Sequence, residues 1–94
     1  MIRAVESAGG FATVIAKGER DAGTLLVVCC ERGGPARALE RMPQADGTRA
    51  WLPSRVQDAD DPRAFWDYIE RRRKQDSDLW VVELDIAGPE RFVR

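Results

Sequence analysis

Histidine is missing from the 94 residues altogether. That absence removes Ser-His-Asp and Cys-His catalysis, imidazole acid–base chemistry and most zinc sites in one step. Cysteine is scarce: Cys29 and Cys30 are the only two, and they are adjacent. Neighbours in sequence cannot form an ordinary loop-closing disulfide with each other, and no Cys-x-x-Cys redox pair exists. Long apolar runs are absent as well. The longest, Leu25 to Cys30, is far short of the ~20 residues of a spanning helix, so no membrane partner is expected. The first residues lack the apolar stretch of an export signal, which makes the reducing cytoplasm the expected location. An excess of charge of one sign is lacking too. Fifteen basic residues face sixteen acidic ones for a net charge of −1, and no global field draws the protein to nucleic acid or an anionic surface.

What is present suffices for one small domain. A chain of this length buries roughly 60–65% of its unfolded surface, a real but thin core. Phe11, Trp51, Phe65, Trp66, Trp80 and Phe92 are spread along it, which argues against disorder.

The organising stretch runs from Gly10 to Glu31. Two β-prone segments flank the charged loop Gly18–Gly23 and read as a hairpin. In the second, Thr24 to Cys30, apolar residues occupy both parities, so both faces need cover. Before it, Met1 to Ala8 reads as a short helix ended by Gly9-Gly10. After it, Gly33-Gly34-Pro35 turns the chain into a third strand, Arg37–Met42, in which Ala38, Glu40 and Met42 oppose Arg37, Leu39 and Arg41. Asp46-Gly47 predicts a tight type I′ hairpin turn, and a short fourth strand, Thr48–Leu52, ends at Pro53. Asp60 or Asp61 caps a helix opened by Pro62. Its apolar stripe is Phe65, Trp66, Ile69 and the stem of Arg73, and its basic end Arg71–Lys74 complements the helix dipole. A fifth strand, Leu79–Ile86, sets Trp80, Val82, Leu84 and Ile86 on one face against Glu83 and Asp85; Gly88-Pro89 then opens a turn carrying Phe92 and Val93. The order of elements predicts an α+β fold: a five-stranded, mainly antiparallel sheet of order 5-1-2-3-4, with a short N-terminal helix and a longer helix between strands 4 and 5.

Each candidate site has a plainer structural explanation beside it. The loop residues Lys17, Gly18, Arg20, Asp21 and Gly23 could aim backbone N–H groups at an anion, but no Gly-Lys-Ser/Thr follows and a hairpin loop explains both glycines. Arg71, Arg72, Arg73 and Lys74 could meet phosphates, yet they circle the helix, and dipole and solvation account for them. Asp58, Asp60 and Asp61, then Asp76 and Asp78, lack the spacing of a calcium loop and serve capping and turns. No metal or cofactor is expected. An enzyme without histidine would have to use Asp21, Glu83 or Asp85, with no paired geometry evident. The cysteines read as packing. Of the tryptophans, Trp51 on a proline-ended strand is the candidate interface anchor.

Three motifs in order carry a resemblance: Gly9-Gly10-Phe11-Ala12-Thr13-Val14, Lys17-Gly18 with Asp21-Ala22-Gly23, and Asp78-Leu79-Trp80-Val81-Val82-Glu83-Leu84-Asp85. From about Ile2 to Val93 the chain resembles a family of small bacterial proteins known as domain of unknown function 1491. The resemblance implies a soluble, cytosolic, single-domain protein and assigns no catalytic residue. Similar proteins carry a longer N-terminal segment, with an apolar stretch and arginines, before the double glycine. Ile2 and Arg3 match its tail, so one sheet face is expected to lack cover here. The expected function is a non-enzymatic binding or interaction module that self-associates as a homodimer, with nucleic-acid binding through Arg71–Lys74 and carboxylate- or metal-dependent catalysis as the alternatives.

Overall fold

The computed structural model describes residues 1–20 and 24–93. Helix α1 (Ile2–Ser7) leads into β1 (Phe11–Ala16). Then come β2 (Leu25–Cys30), β3 (Arg37–Pro43), β4 (Arg49–Val56), α2 (Pro62–Gln75), β5 (Trp80–Asp85) and a 3₁₀ turn, Pro89–Phe92. The strands form one sheet of order β1-β5-β2-β3-β4. Three pairings are antiparallel and one, β2 with β5, is parallel.

The α+β class and the mainly antiparallel sheet match the expectation; the order 5-1-2-3-4 does not. β5 inserts between β1 and β2, so those two strands never form a hairpin. The reason lies in which strands need cover. β5 and its flanks send Leu79 and Val81 into one core cluster and Val82, Leu84 and Ile86 into the other. A strand apolar on both faces belongs inside a sheet. β1 leaves Phe11, Thr13 and Val14 exposed, which suits an edge.

The crossing that allows this depends on Gly18. A Cβ there would lie 2.0 Å from the Asp78 carbonyl oxygen, so only glycine lets the two backbones pass. The Glu19 N–H donates to that same carbonyl (3.1 Å) and the Trp80 backbone N–H donates to Thr24 O (2.8 Å). The Trp80 indole N–H donates to Glu19 O (2.7 Å). The chain thus passes over the start of β5 and enters β2 on its far side.

Both faces of the sheet are covered. On one, Phe65 and Ile69 of α2 pack on Leu26, Val28, Cys30, Ala38 and Val81, with Trp66 and Tyr68 alongside. On the other, Val5 of α1 joins Val27, Cys29, Leu39 and Leu84, and Phe92 and Val93 pack against that group. The face expected to be bare is therefore closed over β2 by α1 and the 3₁₀ turn. Leu26, Val27, Val28 and Cys29 are completely buried.

Three local expectations need correction. β4 does not stop at Pro53 but runs on to Val56, with Pro53 opposite Leu39 beside a register shift. Being at the sheet edge, it can spare the N–H that proline lacks. The Asp46-Gly47 turn is not type I′, because only Gly47 has positive φ (+87°). A five-residue loop forms instead, closed by Gln44 N–H to Thr48 O (2.7 Å) and Gly47 N–H to Gln44 O (3.0 Å). Asp61 holds the N-cap position of α2 and Pro62 follows, but no side-chain capping bond forms. Gln57 anchors that end, accepting from the Ala36 N–H (2.9 Å) and donating to Pro62 O (3.2 Å).

Candidate functional site

β3 and β4 extend beyond the start of β2, and the C-terminal end of α2 overhangs the notch this leaves. The result is a cleft of about 440 Å³, within the ~300–1,000 Å³ of small-molecule sites. Thr24 and Leu25 of the β2 end, Glu40 and Arg41 of β3, Arg49 and Trp51 of β4, and Arg72 and Asp76 of the helix end line it.

One wall is set by Glu40. Strand alternation turns it to the α2 side, beside Leu26, where Tyr68 and Arg72, four residues apart on the helix, meet it. The Tyr68 hydroxyl donates to one carboxylate oxygen (2.8 Å) and the Arg72 guanidinium to the other (2.7 Å). Burial alone would raise the Glu40 pKa; the neighbouring Ser54 hydroxyl, Arg72 and Tyr68 outweigh it, and the net shift is downward. The same ion pair raises the pKa of Arg72. Asp76 is likewise engaged, accepting from the Thr24 hydroxyl (3.1 Å) and the Asp78 N–H (3.0 Å).

The opposite wall belongs to the other sheet face. Arg41 and Trp51 are direct cross-strand partners, and Arg49 lies two residues before Trp51, on the same side. Trp51 is half-buried against the cluster that contains Leu39, and its indole N–H is shielded and without an acceptor among the described residues. Arg41 and Arg49 are exposed and form no ion pair among the described residues.

The residues singled out in the sequence fall as follows. Lys17 is brought to Arg73 and Lys74 in a smaller cleft of about 240 Å³ at the end of α2, with Glu70, Asp76 and Ser77. Gly18 is a crossing glycine and Arg20 is exposed; Asp21 and Gly23 lie outside the described residues. The basic run is dispersed. Arg72 is bound to Glu40, Arg73 pairs with Glu70 (2.7 Å) in place of extending the apolar stripe, and Arg71 points outward. Trp51 joins the larger cleft.

Among the described residues no group of His, Cys, Asp or Glu is arranged to hold a metal. Burial drives the thiol pKa of Cys29 up to about 12 and, with the Asp85 and Glu83 charges, that of Cys30 to about 11. Neither is a nucleophile at neutral pH. Asp85 is structural: it accepts the N–H groups of Arg32 (2.6 Å) and Gly33 (3.2 Å), both at left-handed φ. Glu83, raised by burial and by Asp85, has no catalytic partner among the described residues.

Glu40, Arg41 and Arg49 were missed in the sequence. Their signal was a glutamate on a strand face otherwise made of Ala38 and Met42, where only a polar partner overhead explains a carboxylate.

Residues 1–94 match the profile described as protein of unknown function DUF1491, and the chain belongs to that family. A crystal structure of a DUF1491 family protein from Caulobacter crescentus is similar at 40% identity and TM-score 0.74, covering 89% of this chain and 78% of that one. A solution structure of an A. tumefaciens protein is similar at 32% identity and TM-score 0.68, covering 93% and 79%. Among curated proteins, none matches.

Proposed function

We propose that the protein is a small, non-catalytic interaction module that self-associates as a homodimer, two copies joining edge to edge through β1. One observation carries this: β1 is a sheet edge that neither charge nor proline guards, its single irregularity being a register shift between Val14 and Ala16. Its sequence, Phe11-Ala12-Thr13-Val14-Ile15-Ala16, contains no charge and no proline, and it exposes Phe11 (74%) and Val14 (45%) on opposite faces. Edge strands are normally protected by charges, prolines or bulges, because their free N–H and C=O groups recruit other strands. Both edges carry a register shift, but the opposite edge, β4, adds the charges of Arg49 and Arg55 and the proline Pro53 that β1 lacks.

The chemistry suits a second copy. A two-fold axis perpendicular to the sheet pairs β1 with its own equivalent in antiparallel fashion and keeps each face on its own side. Val14 then continues the layer under α1, and Phe11 the layer under α2. Partner strands of this kind bind through main-chain hydrogen bonds with side chains adding selectivity. The high thiol pKa values and a structural Asp85 support the non-catalytic half of the reading.

Concentration-dependent sedimentation tests it. The wild-type chain is expected to show a reversible monomer–dimer equilibrium in the micromolar range. Thr13→Lys places a charge on the edge beside Glu83, its cross-strand neighbour, so it spares the fold and should give a monomer. A wild-type monomer at millimolar concentration, or an undiminished dimer in the variant, would overturn the proposal.

A further inference from the structure

We infer that the 440 Å³ cleft binds a nucleotide unit, a planar base joined to phosphate, through Trp51, Arg41 and Arg49. This site is independent of the β1 edge. Single-stranded nucleic acids and nucleotides are held where cations meet the phosphate and an aromatic ring offers a stacking surface. Here the two components are fixed side by side by strand register. Arg41 lies directly across from Trp51, and Arg49 follows on the same side of β4.

Three further features favour that ligand over a solvated patch. Trp51 is anchored, since it packs against the buried cluster that contains Leu39, so little rotamer freedom is lost on stacking. Both arginines lack a carboxylate partner among the described residues, so phosphate need not displace one. Finally, the carboxylates on the far wall are already occupied: Glu40 by Tyr68 and Arg72, and Asp76 by Thr24. They repel an anion less than free carboxylates would, and with Arg72 held by Glu40 the cations open to a phosphate are Arg41 and Arg49.

The chemistry is shared by free mononucleotides and by a single strand, and binding of fluorescein-labelled oligo(dT), with AMP, UMP and inorganic phosphate as competitors, separates them. Saturable binding of the oligonucleotide is expected, with log K falling against log salt at a slope of roughly −1.4 for two phosphate contacts on a single strand. Arg41→Gln with Arg49→Gln, both exposed and outside the core, should weaken binding at least tenfold and flatten that slope. Trp51→Ala should weaken it roughly 5- to 150-fold, with Trp51→Phe retaining most of the affinity. Competition by AMP or UMP as strong as by unlabelled oligonucleotide assigns the site to free nucleotides; much weaker competition assigns it to strands. Phosphate competing as well as either, no saturable binding at low salt, or full affinity in the double arginine variant would each overturn the inference.

Discussion

Gly18 has the least room of any described glycine. Its missing side chain is where the Asp78 carbonyl oxygen and the Leu79 backbone pass, and none of these is a flexible tip that could swing aside. Gly18→Ala should therefore force the crossing apart. Overpacking of this kind costs ~1–3 kcal/mol, and for a domain of this size that corresponds to a melting temperature lower by roughly 5–20 °C. Calorimetry of the variant checks it. An unchanged melting temperature would mean that the crossing tolerates a methyl group and that Gly18 does not dictate the strand order. The same substitution at Gly33 meets no neighbouring atom and suffers only the strain of its positive φ, which separates crowding from backbone conformation.

At the scale of elements, α2 is attached to the sheet twice, by the apolar stripe of Phe65 and Ile69 and by the polar clamp of Tyr68 and Arg72 on Glu40. The clamp is sensitive to acid. Because the folded-state pKa of Glu40 lies below its ordinary value, its stabilising contribution is complete above the usual glutamate range of ~4.3 and lost as pH falls through the folded value. Glu90, held down by its hydrogen bond to Arg37, adds in the same direction, whereas Glu83, raised by burial, opposes it. Glu40→Gln should lower stability at neutral pH, and the gap to wild type should close as the solution is acidified. Urea unfolding at a series of pH values would show this; a gap that stays constant would assign the clamp to shape alone. The clamp also shows why the site was hard to read in the sequence. A 3.6-residue period identifies the buried stripe of α2, but a bond between residues 28 and 32 positions apart leaves no periodic trace. The helix, the third strand and the apolar β2 were legible, because periodicity and breakers such as Pro62 and Gly34-Pro35 are local signals.

For the molecule as a whole, one sheet separates two cores. Ile69 belongs to the cluster beneath α2 and Val27 to the cluster beneath α1. Substitutions on different sides share no partners, so Ile69→Val and Val27→Ala should add to within ~0.5 kcal/mol. Ile69→Val paired with Val28→Ala, in the same cluster, should not. Denaturant unfolding of the single and double variants decides it. Global order was the part the sequence concealed. Strand spacing said which runs were β-prone, yet the choice of neighbour for β1 depended on the apolar residues Val81 and Val82, which serve opposite faces of β5, and on a close approach visible only at Gly18.

That arrangement also has a bearing on synthesis. The slot between β1 and β2 is filled by a strand made 55 residues after Cys30, which at ~5–20 residues per second leaves it open for roughly 3–11 s. During that interval the nascent chain carries the LLVVCC segment, the most apolar of the sequence, with its inner hydrogen-bonding side unsatisfied and its β5 partner not yet translated. The ribosome thus emits a sticky half-sheet before it emits the strand that seals it, and slow codons between Arg37 and Leu79 would lengthen that exposure.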